Sequence, residues 1–109
     1  IAFNDPAFAD FNDPDYLKVV EMDQACRKQQ VGEGWFPSID DVPLKAITLT
    51  IPAIMESKVI SCTVPDERKA TAVYNTLSGE ISTICPASVL RNHNEAVLFL
   101  DSYAAARIN

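Results

Sequence analysis

Residues 58–79 limit the folds open to this chain, because a strand pattern runs directly into a helix pattern. Lys58–Val64 is apolar and rich in β-branched residues, which predicts a strand. After Pro65, apolar residues recur at i, i+3, i+4 and i+7 within Asp66–Leu77, which predicts an amphipathic helix that ends near Gly79. A strand followed at once by a helix is a building unit of α/β folds.

The rest of the chain shows the same alternation. The opening segment, residues 1–15, repeats turn signals of the Asn-Asp-Pro type and is predicted to be a loop, as is the Gly-containing stretch Val31–Val42. Three further strands are predicted at Tyr16–Met22, Leu44–Ile51 and Ala96–Leu100, and three further helices at Asp23–Gln30, Ile84–Asn92 and Ser102–Ile108. The continuous apolar run Ala96–Leu100 is expected to be buried on both faces.

This alternation predicts an α/β fold with a largely parallel sheet and flanking helices. Only about four strands are present, and the central strands of such a sheet need neighbours on both sides. The chain also begins at Ile1 without a methionine. We therefore expect residues 1–109 to be a single partial domain.

Composition excludes several classes of partner. Nine basic and fifteen acidic side chains give a net charge of −6 with no basic cluster, which argues against nucleic acid but leaves room for a small phosphorylated ligand. No apolar run approaches the roughly 20 residues of a membrane span. Cys26, Cys62 and Cys85 are widely spaced, so neither a disulfide framework nor a zinc site is indicated, and a reducing cytoplasm is expected.

Lys69 is the residue that most strongly suggests a binding site. It lies in the first turn of the predicted helix that Asp66 caps, where a cation opposes the helix dipole. The position makes sense if an anion binds there too, because free N–H groups and a lysine together form a phosphate site. The alternative is a solvated lysine whose charge is balanced by Asp66 and Glu67.

Four other residues could carry chemistry, each with a plainer alternative. Asp5 could orient a histidine or transfer protons, or could simply stabilise its turn. Arg27 could bind a phosphate or lie on a solvated helix face. His93 could cap a helix end, and Trp35 could belong to a lid or pack over the core edge. No nucleophile–base pair or metal cluster is recognisable.

Several segments resemble one enzyme family. Ile1–Pro6 (IAFNDP) resembles the signature that follows Asp-Gly-His in glucosamine-6-phosphate deaminases. Val42–Thr50, Val64–Ala70 and Pro86–His93 resemble that family's Val-Pro-x-x-Ala-Leu-Thr strand, its active-site Lys-Ala segment and its Ser-x-Leu-x-x-His stretch, in the same order. The resemblance covers nearly the whole chain. It implies the C-terminal part of a Rossmann-like sandwich, cut just after the catalytic histidine.

The resemblance also implies roles for individual residues. Asp5 takes the catalytic acidic position that supports ring opening, and Lys69 takes a phosphate-binding position. The second phosphate-binding position falls on Gln30 without a gap and on Arg27 after a short shift, and Arg27 is favoured by its charge. Asp66 departs from the family, which usually has glycine there.

The function implied is conversion of glucosamine 6-phosphate and water to fructose 6-phosphate and ammonia, a hydrolase or isomerase reaction of amino-sugar metabolism that needs no cofactor or metal. A homo-oligomer is also expected, with the sugar phosphate as the small-molecule partner. This chain lacks the histidine and the proton-shuttling aspartate, so we expect it to be inactive alone. The alternatives are a non-catalytic sugar-phosphate-binding module and a hydrolase similar to 6-phosphogluconolactonase.

Overall fold

A computed structural model describes residues 1–108. Four strands are present: β1 (Leu17–Glu21), β2 (Lys45–Leu49), β3 (Ile60–Val64) and β4 (Ala96–Leu100). Three α-helices accompany them: α1 (Gln24–Gly32), α2 (Ile51–Met55) and α3 (Ala70–Ser78). Short 3-10 helices cover Ile39–Asp41, Glu67–Lys69 and Pro86–Asn92. The alternation of strands and helices that the sequence predicts is therefore present.

The strands form two pairs. β1 and β2 pair antiparallel, with Val19 opposite Ile47. β3 and β4 pair parallel, with Cys62 opposite Leu98, and the connection between them contains α3. The parallel pair with its helical crossover is the part of the fold that positions Lys69, because the 3-10 turn that leads into α3 lies beyond the carboxyl end of β3.

Apolar side chains from β1, the helices and the connecting segments form the core, and β3 and β4 contribute half-buried residues to its edge. Its buried members include Val20, Ile51, Val73, Val89 and Ala104. The outer faces of β1, β2 and β4 carry exposed apolar residues, whereas the outer face of β3 carries Ser61 and Thr63. β4 alternates between half-buried and exposed residues, and Phe99 is 54% exposed, so the prediction that this strand is buried on both faces is wrong for the described residues.

Local structure differs from the sequence prediction at four places. The predicted helix Ser102–Ile108 is a series of turns, in which the Asp101 carboxylate accepts a hydrogen bond from the Ala104 N–H at 2.7 Å. The predicted helix Asp66–Leu77 begins as a 3-10 turn before α3. The predicted helix Ile84–Asn92 is entirely 3-10, and α1 continues to Gly32, into the predicted loop.

Candidate functional site

The turn between β3 and α3 places Lys69 at the junction of a strand and a helix. Asp66 caps this turn as predicted, since its carboxylate accepts a hydrogen bond from the Arg68 N–H at 2.9 Å. Its φ of 91° is a conformation that favours glycine, the residue usual here in the family that the sequence resembles. Lys69 then ends the 3-10 turn and directly precedes the first residue of α3.

Lys69 is paired with a carboxylate from another helix. Its Nζ lies 3.4 Å from Oε1 of Glu33, and about a third of the lysine side chain is exposed. Glu33 directly follows α1 and caps it, donating its backbone N–H to the Gln29 carbonyl at 2.9 Å. The carboxyl end of α1 therefore meets the amino end of α3 at this ion pair.

Two cavities open on either side of the Lys69–Glu33 pair, and both residues line both of them. The larger, of about 400 Å³, has a mostly apolar wall that includes Cys62 and Leu98. The smaller, of about 320 Å³, adds three charged or amide side chains, Lys28, Gln29 and Arg68, and is called the polar cavity for that reason. Burial raises the pKa of the Cys62 thiol, so this side chain stays neutral and contributes no charge to the larger cavity.

The guanidinium of Arg68 is already engaged. Its Nη2 lies 2.8 Å from the Asp66 carboxylate, and its Nη1 donates to the Gly32 carbonyl at 3.0 Å. Hydrogen bonds from Arg68 lower the pKa of Asp66 from 3.8 to about 2. Arg68 thus ties the Asp66 turn to the end of α1 while it lines the polar cavity.

Asp5 is positioned by a strained turn held on β2. Ala2 and Phe3 both have positive φ angles, 48° and 61°. Asn4 is fully buried, and its Nδ2 donates to the Leu49 carbonyl at 2.9 Å and to the Ile1 and Ala2 carbonyls at 3.2 Å. These hydrogen bonds offset the strain of the positive φ angles, which residues other than glycine disfavour.

Asp5 lines a third cavity, of about 250 Å³, next to Cys26. Burial, and then the nearby Asp5 carboxylate, raise the pKa of the Cys26 thiol. Ala25 and Gln29 of α1 line both this cavity and the polar cavity of Lys69. The Asp5 and Lys69 cavities therefore adjoin along one stripe of α1.

Arg27 lies on α1 but has a different set of contacts. Its Nη2 donates to the Ile39 carbonyl at 2.7 Å and to the Val42 carbonyl at 3.3 Å, which anchors the loop before β2. Its Nε is buried without a hydrogen-bond partner among the described residues. A phosphate-binding role for Arg27, or for Gln30 in its place, stays a prediction.

The two other candidates from the sequence differ in their surroundings, since His93 is hydrogen-bonded and Trp35 is exposed. His93 is held at both ring nitrogens: Nε2 lies 2.6 Å from the Ser57 carbonyl, and Nδ1 accepts from the Glu95 N–H at 2.9 Å. Trp35 is 71% exposed.

Within residues 1–108, no group of side chains is arranged to hold a metal ion, and no helix has the length and apolar character to cross a membrane.

Sequence reasoning missed Glu33. The sequence predicts a loop at this residue, whereas its contact with Lys69 joins two helices that are far apart in the chain. The length of the predicted loop is a signal that could have pointed to Glu33, because long connections in compact domains are often functional.

No protein-family model matches the chain. The chain is 38% identical over all 109 residues to the glucosamine-6-phosphate deaminase of Clostridium botulinum strain Alaska E43, and 36% identical over 104 residues to that of Clostridioides difficile strain 630. A solved monomeric glucosamine-6-phosphate deaminase of the NagB superfamily superposes with a TM-score of 0.87 at 36% identity, over 96% of this chain. The resemblance to glucosamine-6-phosphate deaminases is confirmed.

The chain spans about 42% of the length of these relatives, and 42% of the solved chain. The expected architecture, part of a Rossmann-like α/β deaminase fold, is confirmed by the superposition. The matches support an enzyme family and favour neither the binding-module alternative nor the 6-phosphogluconolactonase alternative. They do not support the hydrolase label. The expected homo-oligomer also lacks support, because the solved relative is monomeric.

Proposed function

We propose that this chain supplies one part of a glucosamine-6-phosphate deaminase domain, which converts glucosamine 6-phosphate and water to fructose 6-phosphate and ammonia. Deaminase relatives that match the chain along its full length support this assignment. In the proposal, Asp5 is a catalytic acid–base residue and Lys69 binds the substrate phosphate. Three free thiols, at Cys26, Cys62 and Cys85, are consistent with a cytoplasmic location.

The observation that carries the proposal is the stripe of α1 shared by two cavities. Ala25 and Gln29 stand one helical turn apart and border both the Asp5 cavity and the Lys69 cavity. A sugar phosphate needs a cation at one end and acid–base groups at its reacting carbons. The adjoining cavities offer a cation and a carboxylate in that arrangement.

In the proposed mechanism, Lys69 contributes charge-assisted hydrogen bonds to the phosphate oxygens and fixes the orientation of the sugar. Asp5 then supports ring opening by proton transfer at the sugar end. The turn that Asn4 holds sets the position of the Asp5 carboxylate, since Asp5 directly follows the buried amide. Arg27 is retained as a proposed second phosphate contact, which requires its guanidinium to exchange a loop carbonyl for a phosphate oxygen.

Kinetics of two variants of the full-length protein test the proposal. Lys69→Met should raise KM for glucosamine 6-phosphate by about 10- to 100-fold, because a hydrogen bond to a charged group contributes about 1.5–3 kcal/mol. Asp5→Asn should mainly lower kcat, by about 100-fold or more, as loss of general acid–base catalysis does. Ammonia release and fructose 6-phosphate formation are the measurements.

Lys58→Met is the matched control, because Lys58 is an exposed lysine outside the cavities described above. Its kinetic constants should equal those of the wild type. A wild-type protein that forms no ammonia from glucosamine 6-phosphate contradicts the assignment. An active wild type whose KM is unchanged by Lys69→Met contradicts the phosphate role alone.

A further inference from the structure

The lysine that would bind the phosphate, Lys69, is already paired with the carboxylate of Glu33. Glu33 Oε1 lies 3.4 Å from Lys69 Nζ, and the same oxygen accepts a hydrogen bond from Gln29 Nε2 at 3.3 Å. The backbone of Glu33 is fixed as the cap of α1. Two helices and a side-chain amide therefore hold this carboxylate against the lysine.

The charges around Lys69 determine how strongly the Glu33 carboxylate affects an incoming phosphate. Arg68, the guanidinium of the polar cavity, is engaged by Asp66 and by the Gly32 carbonyl. Lys28 also lines the cavity, on the exposed side of α1. A phosphate approaching Lys69 therefore meets a negative charge within a few ångströms, and the repulsion between like charges opposes binding at that distance.

We propose that Glu33 sets the affinity and selectivity of the anion site. Its carboxylate pairs with Lys69 when the site is empty, and a phosphate monoester dianion displaces it from the lysine. The inference rests on the proposed function and adds a specificity-determining residue to it. A dianion gains more from Lys69 than the single charge of Glu33 does, whereas a monoanion does not. The site thereby selects doubly charged phosphate esters over carboxylates and other singly charged ligands.

Glu33→Gln in the full-length protein tests this inference. Glutamine keeps the size of the side chain and can still accept from Gln29, but it removes the negative charge. We expect KM for glucosamine 6-phosphate to fall by about two- to fivefold, the range that corresponds to a partly exposed ion pair. The inhibition constant of inorganic phosphate should fall by a similar factor, while kcat changes less than about twofold.

Glu67→Gln is the matched control, because Glu67 is exposed on the 3-10 turn that carries Lys69 and its loss changes the net charge equally. Its KM should remain at the wild-type value. Thermal unfolding of each variant verifies folding, and Glu33→Ala, which removes the carboxylate altogether, should lower KM in the same direction.

The outcomes separate this inference from the proposed function. If the wild type is active and both Glu33 variants show an unchanged or raised KM, the inference is overturned; a raised KM would make Glu33 a residue that positions Lys69. If the wild type releases no ammonia, the proposed function fails. Calorimetric titration with inorganic phosphate then still decides the inference: tighter binding by Glu33→Gln supports it, and equal or weaker binding overturns it.

Discussion

Asp66 shows how a single residue combines an unfavourable backbone with favourable side-chain contacts. Its φ of 91° and ψ of 140° suit glycine, but its carboxylate accepts from the Arg68 N–H and pairs with the Arg68 guanidinium. Glycine would remove the backbone strain and is itself an acceptable helix cap. Alanine would keep the strain and lose the contacts. We therefore expect the melting temperature of the full-length protein to rise by a few degrees with Asp66→Gly and to fall with Asp66→Ala, measured by differential scanning calorimetry. A Gly variant that melts below the wild type would show that the carboxylate contacts outweigh the backbone strain.

Residue-scale prediction succeeded where local chemistry decides the outcome. The position of Lys69 beside a capped helix start follows from residues next to it in the chain, and the structure places it there. The Glu33 partner does not follow from local sequence, because it depends on how α1 packs against the start of α3. The roles of Asp5, Lys69 and Arg27 in catalysis and binding stay predictions.

Elements were predictable where hydrophobic periodicity is strong. All four strands lie within the predicted segments, because β-branched apolar runs bounded by turn residues rarely form any other secondary structure. Residues 102–107 form turns although they include three alanines, since Asp101 and the following residues bond locally and the segment is too short to sustain a helix. Helix propensity alone does not overcome the cost of nucleation over so few residues.

His93 links two elements of the parallel pair. Its ring bridges the Ser57 carbonyl, before β3, and the Glu95 N–H, before β4, and the Ile60 N–H donates to the Glu95 carbonyl at 3.0 Å. His93→Ala leaves both ring partners unpaired, so we expect it to lower the free energy of unfolding by about 1–2 kcal/mol. Chemical denaturation of the full-length protein measures this. Asn94→Ala, at the exposed neighbouring position, should cost less than about 0.5 kcal/mol, and equal losses in the two variants would contradict the bridging role.

At the scale of the whole molecule, the antiparallel ribbon presents an apolar face. Leu17, Val19, Ile47 and Leu49 share one side of β1 and β2 and are 50–73% exposed. The sequence predicted apolar strands correctly, but burial depends on which surfaces pack on them, and sequence patterns do not specify that.

The activity of the isolated 109-residue chain is likewise a property of the whole molecule. Removal of ammonia from an amino sugar requires proton transfers at several positions, for which a free imidazole is a common group. His93 is the single histidine in the sequence, and both of its ring nitrogens are engaged by the backbone. We therefore expect this chain alone to release ammonia from glucosamine 6-phosphate at the rate of the buffer blank, in a coupled assay run beside the full-length protein. Circular dichroism would establish that the isolated chain is folded. Turnover by the folded chain would mean that Asp5 and Lys69 suffice without an imidazole, and the acid–base assignment would then have to be built from carboxylates alone.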